Sequence, residues 1–153
     1  MLKGISPLLT PDLLKVLAEM GHGDEIVLAD ANFTAAALAR DAGCTVLQVP
    51  GATVEQLARA VLALMPLDEA VEQPVAYMQV CAWPQGQQSA QQRAVIAMLE
   101  HEGHARAAQC AATERFAFYE RTRRAFAIVL TGELQPYGNF ILKKGVIGEA
   151  LVP

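Results

Sequence analysis

Short apolar runs alternate along this chain with longer segments of helical periodicity, and the alternation predicts an α/β domain in which helices flank a mixed, largely parallel sheet. Two further observations support that class. No linker, repeat or low-complexity tract divides the 153 residues, so a single domain over 1–153 is expected. No apolar stretch approaches the roughly 20 residues that span a bilayer; runs such as Phe126-Ala127-Ile128-Val129-Leu130 are strand-sized and end at Thr131-Gly132.

The elements follow in order. Thr10 can cap a helix with Pro11 at its first position, and Leu13, Leu14, Val16, Leu17 and Met20 repeat at helical spacing until Gly21. Glu25 to Asp30 reads as a buried strand. A helix runs from about Thr34 to Asp41 and stops at Gly43, and Cys44 to Val49 is a second strand before the Pro50-Gly51 turn. Thr53-Val54-Glu55-Gln56 fits a capping box ahead of Leu57, Val61, Leu62, Leu64 and Met65, and Pro66 ends that helix. Val75 to Ala82 reads as a strand and Ser89 to Glu100 as an amphipathic helix. Ala105 to Ala112 fits neither period decisively and stays open. Thr113 to Arg124 is helical by pattern, Phe126 to Thr131 is a strand, and Asn139 to Lys143 is the last strand, after a Tyr137-Gly138 turn.

Composition narrows the function. Hydrophobic residues make up 53% and charged residues 18%, against about a quarter charged in a typical domain. So few charges cover a surface poorly, which favours a homo-oligomer that buries apolar patches between copies. Twelve Lys and Arg against sixteen Asp and Glu give a net charge of −4, and that balance disfavours nucleic acid as a partner. Arg121, Arg123 and Arg124 form a local basic cluster, which reads as a solvated or intersubunit helix face. Cys44, Cys81 and Cys110 are widely spaced and fit neither a disulfide framework nor a zinc site; a reducing cytoplasm suits them, and no basic and apolar leader signals export.

Three polar clusters could carry chemistry. His22 lies between Gly21 and Gly23, and Asp30 stands at the carboxyl end of the following strand, where α/β sheets commonly bind ligands. Imidazole can give or take a proton near neutral pH. His22 could therefore serve a ligand, or cap the preceding helix, just as Asp30 could bind a ligand or cap the next helix. Arg115 and Tyr119 share one helix face at i and i+4, a guanidinium beside a phenol; they suit a polyhydroxylated ligand or a simple surface stack. Tyr137-Gly138-Asn139, preceded by Thr131-Gly132-Glu133, is an ordinary turn or a ligand-binding one, with a positive φ expected at Gly138. His101 and His104 are three apart, not four as on a zincin helix, and no Walker A, G-x-S-x-G or G-x-G-x-x-G occurs. No metal is expected.

With those residues in view, the chain resembles the cytoplasmic sugar mutarotases, the family of D-ribose pyranase and L-fucose mutarotase, and within it the fucose branch. The likeness is carried by Ile5-Ser6-Pro7-Leu8 and Leu13 through Ile26, by Arg115-Phe116-Ala117-Phe118-Tyr119-Glu120-Arg121 with Ala125 to Ile128, and by Thr131-Gly132-Glu133, Tyr137-Gly138-Asn139 and Leu142 to Val146. It is weakest from about Ala70 to Ala112, Thr34 stands where the family often has Pro, and 147–153 reads as a C-terminal tail. The resemblance implies a ribose pyranase-like fold, a ring-like homo-oligomer, often a decamer, with sites near subunit interfaces, and interconversion of the α and β anomers of a free monosaccharide without a cofactor. It implies His22 as proton donor and Tyr119 and Asp68 in acid/base roles. It implies Asp30, Arg115, Tyr137, Gly138 and Asn139 as substrate ligands, with His in place of Arg115 in the ribose branch. The same scaffold would also serve a non-catalytic sugar-binding or regulatory protein, which would need only Asp30, Arg115 and Asn139.

Overall fold

A computed structural model of the chain describes residues 2–148; the last residues of the expected tail, 149–153, lie outside them. Helix α1 spans Pro11–Glu19, capped by Thr10, whose hydroxyl accepts from the Leu13 N–H at 3.3 Å. Strand β1 is Glu25–Ala29, α2 Ala35–Ala42, β2 Thr45–Val49, α3 Val54–Leu62, β3 Val75–Met78, α4 Ala90–His101, β4 Cys110–Thr113, α5 Arg115–Arg123, β5 Ala127–Thr131 and β6 Phe140–Lys143. The capping box at Thr53 forms as its spacing predicts, and a second at Ser89 and Gln92 starts α4.

The six strands make one sheet in the order β2-β5-β1-β6-β3-β4. β1 and β2 run parallel to β5, and β3 runs parallel to β4; β6 runs antiparallel to both β1 and β3. Strand β6 is thus the single reversed strand, and the sheet is mixed and largely parallel as expected. Helices cover both faces. On one, Leu13, Leu57 and Leu99 of α1, α3 and α4 pack on Ile26, Leu28, Phe140 and Leu142. On the other, Leu38 and Phe118 of α2 and α5 pack on Val27, Ala29, Ile128 and Ile141. Strand β1 is buried on both sides from Ile26 on, which is why its sequence is a continuous apolar run rather than an alternation.

The structure differs from the sequence expectations in the middle of the chain. Strand β3 stops at Met78 rather than Ala82. Beyond it the Gln79 amide folds the chain back by donating to the Val80 and Pro84 carbonyls and accepting from Gly86 N–H, and Ala82 adopts a left-handed φ of 64°. The open segment Ala105 to Ala112 divides into a 3-10 turn, Ala107–Gln109, and edge strand β4, because Cys110 to Thr113 pair in register with β3. Glu114 caps α5 by accepting from the Phe116 and Ala117 N–H groups, so the helix starts at Arg115 rather than Thr113.

The topology separates two edges. One carries the carboxyl ends of β1, β3, β4 and β5 with the start of β6. The other carries the start of β1 and the end of β6. Among the described residues no helix is long and apolar enough to cross a membrane.

Candidate active site

At the carboxyl edge, Asp30 immediately follows β1 and Asn139 immediately precedes β6, and the antiparallel pairing of those strands brings them together. The two residues interlock: Asn139 Nδ2 donates to Asp30 Oδ2 at 2.9 Å, and Asn139 Oδ1 accepts from the Asp30 N–H at 2.9 Å. Asp30 Oδ1 accepts from the Asn32 N–H at 2.9 Å. Both side chains are buried. Burial pushes the Asp30 carboxyl above its ordinary pKa, the hydrogen bonds from Asn32 and Asn139 work the other way, and nearby Glu133 adds to the rise. Asp30 is therefore no helix cap: Thr34 occupies the cap position of α2, and Asp30 closes a short turn beside a cavity.

That cavity, about 140 Å³, is lined by Asp30, Asn32, Phe33, Met78, Arg115, Tyr119, Pro136, Tyr137 and Asn139. Strand β4 leads directly into α5, so Arg115 stands at the same edge and Tyr119 one turn further along the same face. The Arg115 guanidinium lies 5.7 Å from the Tyr119 ring centre and 5.1 Å from that of Phe116, so the stack and the ligand-facing arrangement coexist. Tyr119 raises the Arg115 pKa further above its usual high value. Arg115 Nε is buried without a partner, and the guanidinium lines the cavity beside Tyr137. Phe33 packs edge-on to Tyr119 at 5.7 Å and supplies the apolar wall; Phe118 is wholly buried behind it, and Phe116 lies largely exposed outside.

The Tyr137-Gly138-Asn139 turn is more specialised than its sequence suggests. The positive φ expected at Gly138 falls instead on Tyr137, at 63°. Gly138 is required for space: a Cβ there would sit 2.9 Å from the Gln135 carbonyl oxygen and 3.1 Å from Glu133 Cγ. The neighbouring Cys81 thiol, then burial, raise the pKa of the Tyr137 phenol, while Arg115 acts to lower it.

His22 and Asp68 meet elsewhere. His22 Nε2 lies 3.1 Å from Asp68 Oδ1, and the same oxygen accepts from the Ala70 N–H at 3.0 Å. The imidazole is half exposed and Asp68 is buried. Its Ala70 hydrogen bond, opposed by burial and aided by His22, holds the Asp68 carboxyl below the usual range. His22 does not cap α1, whose C-cap is Met20 with its N–H bonded to the Val16 carbonyl. Pro66, Leu67, Glu69, Ala70 and Val146 complete a second cavity of about 240 Å³ around the pair. This pair sits at the start of β1 and Asp30 at its end. Five residues at about 3.3 Å each put roughly 16 Å between the two groups, and Tyr119 lines the Asp30 cavity while His22 lines the second one.

The remaining clusters lie outside both of these cavities. Arg121 is half-buried and paired: its Nε and Nη2 donate to Glu25 at 2.8 and 2.7 Å, and Lys143 lies 3.0 Å from the same carboxylate. Arg123 pairs with Glu120. His101 ends α4 and His104 faces Glu102; among the described residues no group of three His, Cys, Asp or Glu side chains could hold a metal ion. Sequence reasoning missed Asn32, Met78 and Pro136 as cavity residues. Met78 was legible in principle, since it ends a strand at the edge that carries Asp30, but the apolar run on to Ala82 hid where the strand stops.

Comparison with known proteins bears on the whole assembly of features. The chain is 47% identical over 146 residues to an L-fucose mutarotase of Glaesserella parasuis, covering 95% of this chain and 96% of that one. It is 47% identical over 150 residues to the fucose mutarotase of Homo sapiens, covering 95% and 94%. The crystal structure of the fucose mutarotase from Streptococcus pneumoniae in complex with L-fucose superposes with a TM-score of 0.83 at 40% identity, over 96% of this chain and 100% of that one. Residues 3–147 match the RbsD / FucU transport protein family, and the chain belongs to that family.

Proposed function

We propose that this protein is a mutarotase that interconverts the α and β anomers of L-fucose. The observation that carries the reading is the interlocked Asp30–Asn139 pair, set with Arg115, Tyr119 and Tyr137 around a small cavity with one apolar wall. Fucose-named relatives, one of them with L-fucose bound, support the choice of sugar. The reaction needs a base to take the anomeric O1 proton and an acid to protonate the ring oxygen. The ring opens, C1–C2 rotates, and reclosure gives the other anomer. No electrons or groups are transferred, so the chemistry calls for acid/base groups and orientation alone. Asp30 accepts from sugar hydroxyls, the Arg115 guanidinium donates to a sugar oxygen, and Asn139 and the Tyr137-Gly138 turn fix the ring. Phe33 and Met78 face the C6 methyl.

Proton transfer falls to His22 and Tyr119, with Asp68 orienting the imidazole. With Nε2–H donated to Asp68, Nδ1 keeps its lone pair for a proton. A complete site then needs two copies. A cavity of about 140 Å³ is below the roughly 300–1,000 Å³ usual for small-molecule pockets, which fits half a site. In this reading the His22 edge of one copy closes over the Tyr119 edge of the next, in a ring-like homo-oligomer, a decamer, built from a single domain over 1–153 and working in the cytoplasm. The separation of His22 from Tyr119 within one copy also favours a second reading, a non-catalytic monosaccharide-binding protein that uses the Asp30 edge alone. Saturation-transfer NMR between anomeric protons, across L-fucose, D-ribose and other aldoses, decides between them. Exchange of L-fucose faster than the buffer rate is expected; binding without exchange would establish the second reading.

A further inference from the structure

We propose that Gln92 is a positioning residue for the sugar site, locking the strained Tyr137 turn and the end of β3 to the first turn of α4; the inference rests on the mutarotase reading above. Gln92 is fully buried although it is an amide, and every polar atom of its side chain is used. Nε2 donates to the Tyr137 carbonyl at 2.9 Å and to the Met78 carbonyl at 2.7 Å, which consumes both amide hydrogens. Oε1 accepts from the Ser89 N–H at 3.0 Å and completes the capping box of α4. Tyr137 and Met78 both line the cavity, on different elements, and Tyr137 holds a φ of 63° that non-glycine residues rarely adopt. Strain of that kind persists only where the surroundings fix it. The Gln92 amide is the group that fixes it from behind, out of reach of a sugar in the cavity.

An ordinary capping glutamine would use only Oε1. A cap needs no donor, and a buried carbonyl on the sugar-binding turn needs one; Gln92 joins the two duties in one side chain. The helix cap and the site geometry can therefore be separated by substitution. Ser89→Ala removes the hydroxyl that accepts from Gln92 N–H at 3.2 Å and leaves both donated bonds in place. Gln92→Met removes the donors at similar volume, and Gln92→Glu keeps the cap acceptor while replacing the donors with lone pairs.

The test measures KM and kcat for L-fucose by saturation transfer, thermal midpoints, and the Tyr137 backbone NMR signals for all four proteins. Ser89→Ala is expected to melt earlier with KM and Tyr137 signals unchanged. Gln92→Met and Gln92→Glu are expected to raise KM on the order of tenfold, with a smaller change in kcat, and to shift the Tyr137 signals; loss of two modest hydrogen bonds sets that scale. Parent-like KM and Tyr137 signals in a folded Gln92 variant overturn the proposal. Should neither Gln92 variant fold, the parent decides: Gln92 side-chain amide protons that are slow to exchange and shift on adding L-fucose support it, and protons indifferent to the sugar refute it. A parent that binds L-fucose but exchanges no anomers refutes the mutarotase reading alone, and the Tyr137 signals with binding constants in place of KM still judge Gln92.

Discussion

The imidazole of His22 stands half exposed between two glycines with the buried Asp68 carboxylate as its side-chain partner, which makes its role separable from the fold. His22→Ala removes no core contact and no helix cap, so the variant is expected to fold and assemble as the parent does. General acid/base assistance is worth roughly 10²–10⁴-fold, and anomer exchange should fall by that factor; a variant that exchanges L-fucose at the parent's rate would return His22 to a structural role. Arg115 makes the matching argument for specificity. Its guanidinium lines the cavity as a fork of donors that a well-placed sugar oxygen satisfies. A sugar that fails to reach it leaves a penalty of about 1–3 kcal/mol, roughly 5- to 150-fold in discrimination. Exchange rates of L-fucose and D-ribose are expected to favour fucose in the parent, and Arg115→His is expected to narrow the ratio. An unchanged ratio would remove Arg115 from the choice of sugar.

Elements place these residues, and the edge of the sheet opposite the Asp30 cavity depends on one ion cluster. Glu25 opens β1, Arg121 lies in the last turn of α5 and Lys143 ends β6, so their meeting joins three elements three residues from His22. Burial acts to raise the Glu25 pKa, but the hydrogen bonds and charges of Arg121 and Lys143 outweigh it, and the net shift is downward. A lowered folded-state pKa means that ionised Glu25 stabilises the protein above the unfolded-state value, near 4.3, and that this contribution is lost as pH falls through the folded-state value. Glu25→Gln is expected to cost about 1.5–3 kcal/mol near neutrality, the scale of hydrogen bonds to charged groups. Its thermal midpoint should also fall less steeply than the parent's between about pH 5 and pH 3; parallel acid limbs for the two proteins would contradict this. The same cluster shows what sequence can and cannot tell. Caps and periods are local, so Thr10, Thr53 and Gly43 mark their helix ends correctly, and the buried run of β1 identifies itself. The pairing of Arg121 with Glu25 goes unseen in a sequence that suggests a solvated or intersubunit face, because that partner lies 96 positions away. The end of β3 is misread because a side chain, Gln79, rather than a proline or glycine, turns the chain. At the site, the matched motifs supply Asp30, Arg115, Tyr119, Tyr137 and Asn139, which the fold brings around one cavity. The φ at Gly138 and the residues Asn32 and Pro136 depend on packing that no local pattern encodes.

At the scale of the whole molecule, the proposed sharing of a site between two copies would make assembly part of the chemistry. Each copy offers a His22–Asp68 edge and an Asp30–Arg115–Tyr119 edge about one strand length apart, and the proposed ring pairs unlike edges of successive copies. Such a head-to-tail interface differs from a two-fold one, because each junction takes one edge from each of two copies. Size exclusion with light scattering is expected to give a homo-oligomer well above a dimer, and a monomer at micromolar concentration would rule out the shared site. Complementation gives the sharper test. His22→Ala spoils only the first edge and Tyr119→Phe only the second, so each homogeneous ring should lose most anomer exchange. When the two variants are unfolded together and refolded as an equal mixture, a junction is intact only if its His22 comes from the Tyr119→Phe copy and its Tyr119 from the His22→Ala copy. Random assembly satisfies both conditions at about one quarter of the junctions, so roughly a quarter of the parent's exchange rate should return. Mixing the variants without unfolding restores that activity only as fast as subunits exchange between rings. A site contained within one copy would instead leave the refolded mixture at the average of the two variants, with no recovery at all.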